Sequence, residues 1–158
     1  MSKTIKTILW VVIIVVVIGL IWYAVTKKPA EEVIKIGATL PLTGDYSNFG
    51  VDAKNVIDLV VEEVNEVGID GKKIEVIYED DQCDPKQVVT TVNKLINIDG
   101  VKIILGPFCS GAALAAVPLT QNNEIFVLSG SVTNPKLRDY DLFFRTIPSD
   151  AYQGKFGA

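Results

Sequence analysis

The feature that most constrains the fold is an alternation of short apolar runs with longer amphipathic stretches, which starts at Val33. Most of the apolar runs are nearly continuous in β-branched or aromatic residues, as expected for strands of a parallel sheet covered on both faces. Five strands are predicted, at residues 33–40, 74–78, 101–105, 125–128 and 142–146. Strict alternation of strand and helix predicts an α/β fold with a doubly wound parallel sheet.

Three helices are predicted between the strands. The first has apolar residues at three-to-four spacing, from Ala53 to Val64, with charged residues on its other face. The second has a clear start, because Asp84 can cap it and Pro85 suits its first turn. The third runs from residue 110 to about residue 122 and contains Pro118, which we expect to bend the helix or delay its start.

Residues 8–25 form an uncharged run of eighteen residues, of which thirteen are Ile, Leu or Val. As a helix this run would be about 27 Å long, close to the hydrocarbon thickness of a bilayer. Lys3 and Lys6 precede the run, as is common for segments that direct export. We expect an uncleaved signal anchor over residues 1–28, containing one transmembrane helix. The alternative is a cleaved signal peptide, although no small-residue cleavage site stands out after the run.

The residues after this leader carry a strongly negative net charge. The leader contains four lysines and no acidic residue, which leaves eleven basic and nineteen acidic residues and a net charge of −8. Such a charge argues against nucleic acid as a partner, because that surface would be basic. A short polar tether at residues 29–32 follows the leader. We therefore expect a single-pass protein of the cell membrane, with its domain on the extracytoplasmic side.

The sequence contains no residue pattern that indicates an enzyme. It has no histidine, which removes Ser-His-Asp and Cys-His nucleophile pairs and all histidine metal sites. Residues 107–111 only vaguely resemble a nucleophile elbow, so a hydrolase using Cys109 is a weak alternative. The acidic residues between Glu79 and Asp84 fit a solvated loop before a helix better than a metal site. We expect no catalysis, no cofactor and no metal.

The two cysteines occupy matching places in the predicted fold. Cys83 and Cys109 each follow a predicted strand and precede a predicted helix, which puts both at the carboxyl edge of the sheet. We expect the exits of the second and third strands to be neighbours and a disulfide to join them. Such a bond requires an oxidising compartment, which the leader would provide. The alternative is a pair of buried free thiols.

Polar residues follow the third and fourth predicted strands at the same edge. Ser110 starts the third helix, where free backbone N–H groups and the helix dipole attract a carboxylate. Thr133 lies in the polar segment 129–135 that follows the fourth strand. The alternative is that Ser110 only caps the helix and Thr133 only serves the turn. The residues alone leave both interpretations open.

Four motifs in this order resemble the branched-chain amino-acid binding proteins of ABC transporters, which are type I periplasmic binding proteins. They are residues 34–37 with 41–44, residues 80–85, residues 106–110 and residues 133–135. The resemblance implies that Ser110 and Thr133 bind a ligand α-carboxylate and that the backbone carbonyl of Ser131 receives the α-ammonium. It also implies an aromatic contact from Phe49 and a disulfide between the cysteines. Gly130 departs from a proline that is common in the family.

The resemblance also implies two lobes that close over a ligand. Residues 33–148 match the first lobe, and residues 149–158 match the start of a second lobe that is truncated here. The implied function is that of a membrane-anchored solute-binding component of an ABC transporter, with an amino acid as ligand and permease subunits as partners. The alternative is the ligand-sensing ectodomain of a receptor with the same fold.

Overall fold

A computed structural model describes Trp10, residues 12–20, Trp22 and residues 32–157. The chain divides into two compact units, Met1–Glu31 and Glu32–Ala158. In the first unit, residues 12–20 are helical. None of the helices formed by the described residues combines the length and apolar character needed to cross a bilayer. The remainder of the predicted anchor, and the tether apart from Glu32, lie outside the described residues.

The second unit is built on a five-stranded sheet in which every neighbouring pair is parallel. Its strands are β1 (Val33–Leu40), β2 (Lys73–Asp80), β3 (Ile103–Leu105), β4 (Phe126–Ser129) and β5 (Phe143–Arg145). All five lie where the sequence predicts them, with ends that differ by up to two residues. The predicted parallel α/β fold is confirmed.

Helices connect the strands, as the amphipathic stretches predict. The connecting helices are α1 (Ser47–Val67), α2 (Pro85–Asn97) and α3 (Ser110–Asn122), and a 3-10 helix covers Pro135–Asp139 between β4 and β5. Helix α4 (Asp150–Gly157) follows β5. The Asp84 side chain accepts hydrogen bonds from the amides of Lys86 and Gln87, so α2 is capped as predicted. Helix α3 begins at Ser110 and contains Pro118, so of the two effects expected of the proline, a bend or a delayed start, the delayed start does not occur.

The strand order is β2-β1-β3-β4-β5, which corrects one expectation. Strand β1 lies between β2 and β3, so the two strands that precede the cysteines are not neighbours. The chain moves one way from β1 to β2 and the other way from β2 to β3. Right-handed crossovers therefore place α1 on one face of the sheet, and α2 and α3 on the other. The exits of β2 and β3 turn toward the same face, and this brings them together despite the intervening strand.

The main hydrophobic core lies between the sheet and the pair α2–α3. Its buried members come from both helices and from the strands that they cover, and include Val88, Val92, Leu95, Ile104, Ala113, Ala116, Val117 and Val127. Only Gly50 is buried in α1. The strand order changes direction at β1, because β2 lies on one side of it and β3, β4 and β5 lie on the other. In open α/β folds, ligands usually bind in the crevice outside the strand ends at such a point.

Candidate ligand-binding site

A cavity of about 330 Å³ lies at the carboxyl edge of the sheet. It combines residues that follow four different strands with residues near the start of α1. The lining residues are Pro41, Tyr46, Phe49, Asp52, Cys83, Phe108, Cys109 and Ser131. Most of these side chains are apolar, and Asp52 supplies the charge. The cavity can therefore accept a small apolar group, with polar groups of the loops at its margin.

Two glycines allow the backbone to approach closely enough to form this edge. A Cβ atom on Gly50 would lie 2.0 Å from the carbonyl oxygen of Pro41, so only glycine fits where α1 crosses the loop after β1. A Cβ atom on Gly106 would lie 2.1 Å from the carbonyl oxygen of Thr39, and Gly106 also has a φ of +96°. These contacts fix the start of α1, which carries Phe49, and the loop that carries Phe108.

Cys83 and Cys109 form a disulfide with their Cα atoms 5.4 Å apart. The bond joins the loop after β2 to the loop after β3, and both cysteines line the cavity. The disulfide is as predicted, although the two strand ends that it joins are separated by β1.

Ser110 and Thr133 are in direct contact. The Oγ atom of Ser110 accepts hydrogen bonds from the amides of Thr133, at 3.3 Å, and Asn134, at 3.4 Å. The capping position of α3 is held by Cys109, which makes no side-chain cap hydrogen bond. The interpretation of Ser110 as only a helix cap is therefore wrong, because its hydroxyl joins the loop after β4 to the start of α3.

The hydroxyls of two further serines join the end of β4 and the loop after it to the loop after β3. The hydroxyl of Ser131 donates to the carbonyl oxygen of Phe108 at 2.6 Å, and the hydroxyl of Ser129 donates to the carbonyl oxygen of Pro107 at 2.6 Å. Ser129 is buried, and the sequence predicted no role of its own for it. The sequence signal for this contact was the position of Ser129 directly after the predicted strand at residues 125–128.

The four predicted ligand-binding residues are all found at this edge, in two different settings. Phe49 and Ser131 line the cavity, and 63% of the Phe49 side chain is exposed. Ser110 and Thr133 are not lining residues, but Ser110 directly follows the lining residue Cys109. The structure places them as neighbours of the cavity.

The acidic loop after β2 differs from its expected form. Asp81 is completely buried, although we expected a solvated loop, because the hydroxyl of Thr39 and the amide of Cys83 donate to its carboxylate at 3.0 and 2.9 Å. Burial raises the pKa of Asp81, and these two hydrogen bonds partly oppose the rise. Aspartate side chains often accept a hydrogen bond from the backbone amide two residues further on, so the position of Asp81 before Cys83 was the sequence signal for this contact.

Asp80 behaves in the opposite way. Burial alone would raise its pKa, but hydrogen bonds from the hydroxyl of Thr43 and from the amides of Leu42, Gln82 and Thr43 outweigh this and lower the pKa. The amide of Leu42 lies 2.8 Å from Oδ1 of Asp80. Asp80 therefore joins the loop after β1 to the end of β2 as a carboxylate.

A family model described as periplasmic binding protein matches residues 33–156 of this chain. The chain belongs to the periplasmic binding protein family. The matched range contains the whole sheet and every residue of the candidate site. The sheet and the candidate site therefore both lie within the residues of this periplasmic binding protein that the family model matches.

Individual relatives agree with the family. The chain is 35% identical over 128 residues to a leucine-, isoleucine-, valine-, threonine- and alanine-binding protein of Pseudomonas aeruginosa, covering 79% of this chain and 34% of the relative. The crystal structure of the branched-chain amino acid transporter substrate binding protein LivJ from Streptococcus pneumoniae, in complex with isoleucine, superposes with a TM-score of 0.72 at 29% identity. That match covers 76% of this chain and 35% of the other.

A second similar structure carries a different ligand. It is a solute binding protein of an ABC transporter from Rhodopseudomonas palustris BisB5 in complex with 3,4-dihydroxybenzoic acid, with a TM-score of 0.68 at 30% identity. The match covers 74% of this chain and 32% of the other. This periplasmic binding protein therefore spans about a third of the length of the relatives that it matches.

Proposed function

We propose that this chain provides the first lobe of an extracytoplasmic solute-binding protein, which delivers a branched-chain or related amino acid to the permease subunits of an ABC transporter. The observation that carries the proposal is the apolar cavity beside the contact between Ser110 and Thr133. An apolar side chain would occupy the cavity, and the carboxylate of the ligand would lie at the start of α3.

The start of α3 supplies donors for such a carboxylate. The first N–H groups of a helix have no acceptor within the helix and carry the positive end of its dipole. A serine hydroxyl has two acceptor lone pairs and one donor hydrogen. Since Ser110 accepts from two amides, its single hydrogen remains to be donated, and we propose the ligand carboxylate as the acceptor.

The printed ligands of similar proteins share this chemistry. LivJ was solved with isoleucine and the Rhodopseudomonas protein with 3,4-dihydroxybenzoic acid, and both ligands join a carboxylate to a hydrocarbon framework, aliphatic in one and a hydroxylated ring in the other. The carboxylate is thus the common element. We propose an amino acid rather than an aromatic acid because Asp52, which lines the cavity, is better suited to a ligand that also carries a positive charge.

A titration with matched ligands tests the proposal. L-leucine carries both charges, 4-methylpentanoate keeps only the carboxylate, and L-leucinamide keeps only the ammonium. We expect the full chain to bind L-leucine with a dissociation constant in the millimolar range, about −4 kcal/mol, because one lobe covers only part of a ligand. We expect 4-methylpentanoate to bind within about tenfold of L-leucine and L-leucinamide not to bind. Equal binding of L-leucinamide would contradict the carboxylate site.

We also propose that residues 1–28 anchor the protein in the membrane as a single-pass segment. The uncharged run at residues 8–25 and the disulfide support this, since a disulfide persists in an oxidising compartment. Extraction of membranes with alkaline carbonate tests the anchor. We expect the protein to stay in the membrane fraction and to be digested by protease added on the extracytoplasmic side. Release by carbonate would contradict anchoring.

A further inference from the structure

The loop between β2 and α2 contains two consecutive residues in an unusual conformation. Gln82 has a φ of 52° and Cys83 has a φ of 57°. Positive φ is uncommon for residues other than glycine, and two in succession require support from their surroundings. This turn matters for the site because it carries Cys83, which lines the cavity and bonds to Cys109.

The two preceding aspartates supply that support. Oδ1 of Asp80 accepts a hydrogen bond from the amide of Gln82 at 3.1 Å, and Oδ1 of Asp81 accepts one from the amide of Cys83 at 2.9 Å. In each case a carboxylate binds the backbone two residues further on, which is the contact that lets aspartate stabilise a turn. The two contacts follow one another along the chain, so Gln82 is held by the carboxylate of Asp80 and Cys83 by the carboxylate of Asp81.

Asp81 is in turn fixed to the rest of the sheet. Its Oδ2 atom accepts from the hydroxyl of Thr39 in β1 at 3.0 Å, and that hydroxyl lies 3.1 Å from the hydroxyl of Thr91 in α2. The backbone amide of Asp81 donates to the carbonyl oxygen of Leu40 at 3.0 Å. Thr39, Asp81 and Thr91 are all buried. The position of Cys83 is therefore set from β1 and α2 through one carboxylate.

We infer that Asp81 is a positioning residue for the ligand cavity, which places Cys83 for its bond to Cys109 by holding the turn at Gln82 and Cys83. Asp80 assists through the amide of Gln82. The consequence for ligand affinity depends on the proposed function, whereas the consequence for the cysteine pair does not. A cavity wall formed by the disulfide keeps its shape only while this turn is held.

A matched pair of substitutions separates this role from a general effect on stability. Asp81→Asn keeps an oxygen that can accept from the amide of Cys83, whereas Asp81→Leu keeps the branched shape and removes every acceptor. Asp84→Ala serves as the control, because Asp84 caps α2 next to Cys83 but its side chain accepts only from the amides of Lys86 and Gln87. We expect the control to lower stability without loosening the turn.

The measurement is the equilibrium of the Cys83–Cys109 pair with reduced and oxidised glutathione in the folded full chain, with circular dichroism to confirm folding. We expect Asp81→Leu to lower the effective concentration of the pair roughly tenfold, the scale expected for one lost buried hydrogen bond. We expect Asp81→Asn and Asp84→Ala to stay within about threefold of wild type. If Asp81→Leu does not fold, Asp80→Ala is the substitute, and we expect it to lower the effective concentration as well.

The inference is overturned if Asp81→Leu, or its substitute, leaves the pair unchanged. It is also overturned if Asp84→Ala lowers the effective concentration as much, or if Asp81→Asn behaves like Asp81→Leu. Titration of the same variants with L-leucine separates the two proposals. Absence of L-leucine binding in wild type, together with the expected glutathione result, would refute the proposed function and leave the positioning role intact.

Discussion

At the scale of single residues, side-chain oxygen atoms hold the loops of the carboxyl edge together. The hydroxyl of Ser129 donates to the carbonyl oxygen of Pro107, and Asp80 accepts from the amide of Leu42. Ser110 accepts from the amides of Thr133 and Asn134. Each of these contacts joins a loop to the end of a neighbouring strand or helix, so a single substitution should change the position of a loop.

Ser110→Ala should weaken L-leucine binding, because it removes the proposed donor to the carboxylate and the acceptor for two loop amides. We expect a loss of about tenfold to a hundredfold, the effect of one hydrogen bond to a charged group. Ser131→Ala is the matched control, since the proposed ligand contact of Ser131 is its backbone carbonyl. We expect its affinity to fall by less than about threefold. Isothermal titration at high ligand concentration measures both, and equal losses would count against the assignment of Ser110.

Asp80 should give part of the stability a dependence on acid. Its pKa is lowered in the folded state, so its contribution is fully present above the ordinary value of 3.8 and is lost as the pH falls through the folded pKa. Asp80→Asn keeps an oxygen acceptor but no charge. We expect the difference in unfolding free energy between wild type and Asp80→Asn to shrink below about pH 4. Urea unfolding from pH 7 to pH 3 measures this, and a constant difference would contradict it.

The sequence predicted the roles of some of these residues but not of others. Cys83, Cys109 and the cap at Asp84 followed from residue type and from position relative to strands and helices. The burial of Asp81 did not, because a carboxylate next to Asp80 and Asp84 has the composition of a solvated loop. Only the positions of Thr39 and the amide of Cys83 in space make its burial possible.

At the scale of elements, the first turns of α1 and α3 contribute to the site in different ways. Helix α1 crosses the loop after β1 at Gly50 and brings Phe49 to the cavity. Helix α3 brings its N-terminus beside Thr133 through Ser110. Each helix has a glycine in this region, and the space around the two glycines differs.

Gly50→Ala and Gly111→Ala should therefore have opposite effects. A Cβ atom on Gly50 would meet the carbonyl oxygen of Pro41 at 2.0 Å, whereas the nearest atom to one on Gly111 is Cγ of Pro85 at 3.9 Å. We expect Gly50→Ala to lower the unfolding free energy by about 1–3 kcal/mol. We expect Gly111→Ala to raise it by about 0.5–1 kcal/mol. Chemical denaturation compares them, and a neutral Gly50→Ala would show that the close approach is absent in solution.

The elements themselves were well predicted, because alternating periodicity is a local property of the sequence. Their order in the sheet was not. We expected β2 and β3 to be adjacent strands, but β1 lies between them, although their exits still meet at the disulfide. Strand order depends on which way each crossover turns, and local periodicity carries no information about that.

At the scale of the whole molecule, one covalent bond connects two loops of the carboxyl edge that follow non-adjacent strands. The Cys83–Cys109 disulfide joins residues 26 positions apart and holds the loops from β2 and β3 on the same face of the sheet. The hydrophobic core lies on that face, between the sheet and the pair α2–α3. The bond therefore constrains the part of the domain that carries both the core and the site.

Replacing both cysteines by serine should lower the unfolding free energy by about 3 to 4 kcal/mol, the chain-entropy value for a loop of this length. Wild type treated with a reductant is the matched control and should lose about the same amount. Urea unfolding under oxidising and reducing conditions measures both. A loss below about 1 kcal/mol in both would show that the bond adds little constraint.

The most direct test of the central claim is to map where L-leucine contacts the folded chain. Titration of the isotope-labelled full chain, followed by amide chemical shifts, resolves the position residue by residue. We predict saturable changes at Ser110, Gly111 and Thr133, with L-leucinamide giving none there. Saturable changes confined to the opposite, amino-terminal edge of the sheet, or the same changes with L-leucinamide, would contradict a carboxylate site at the start of α3.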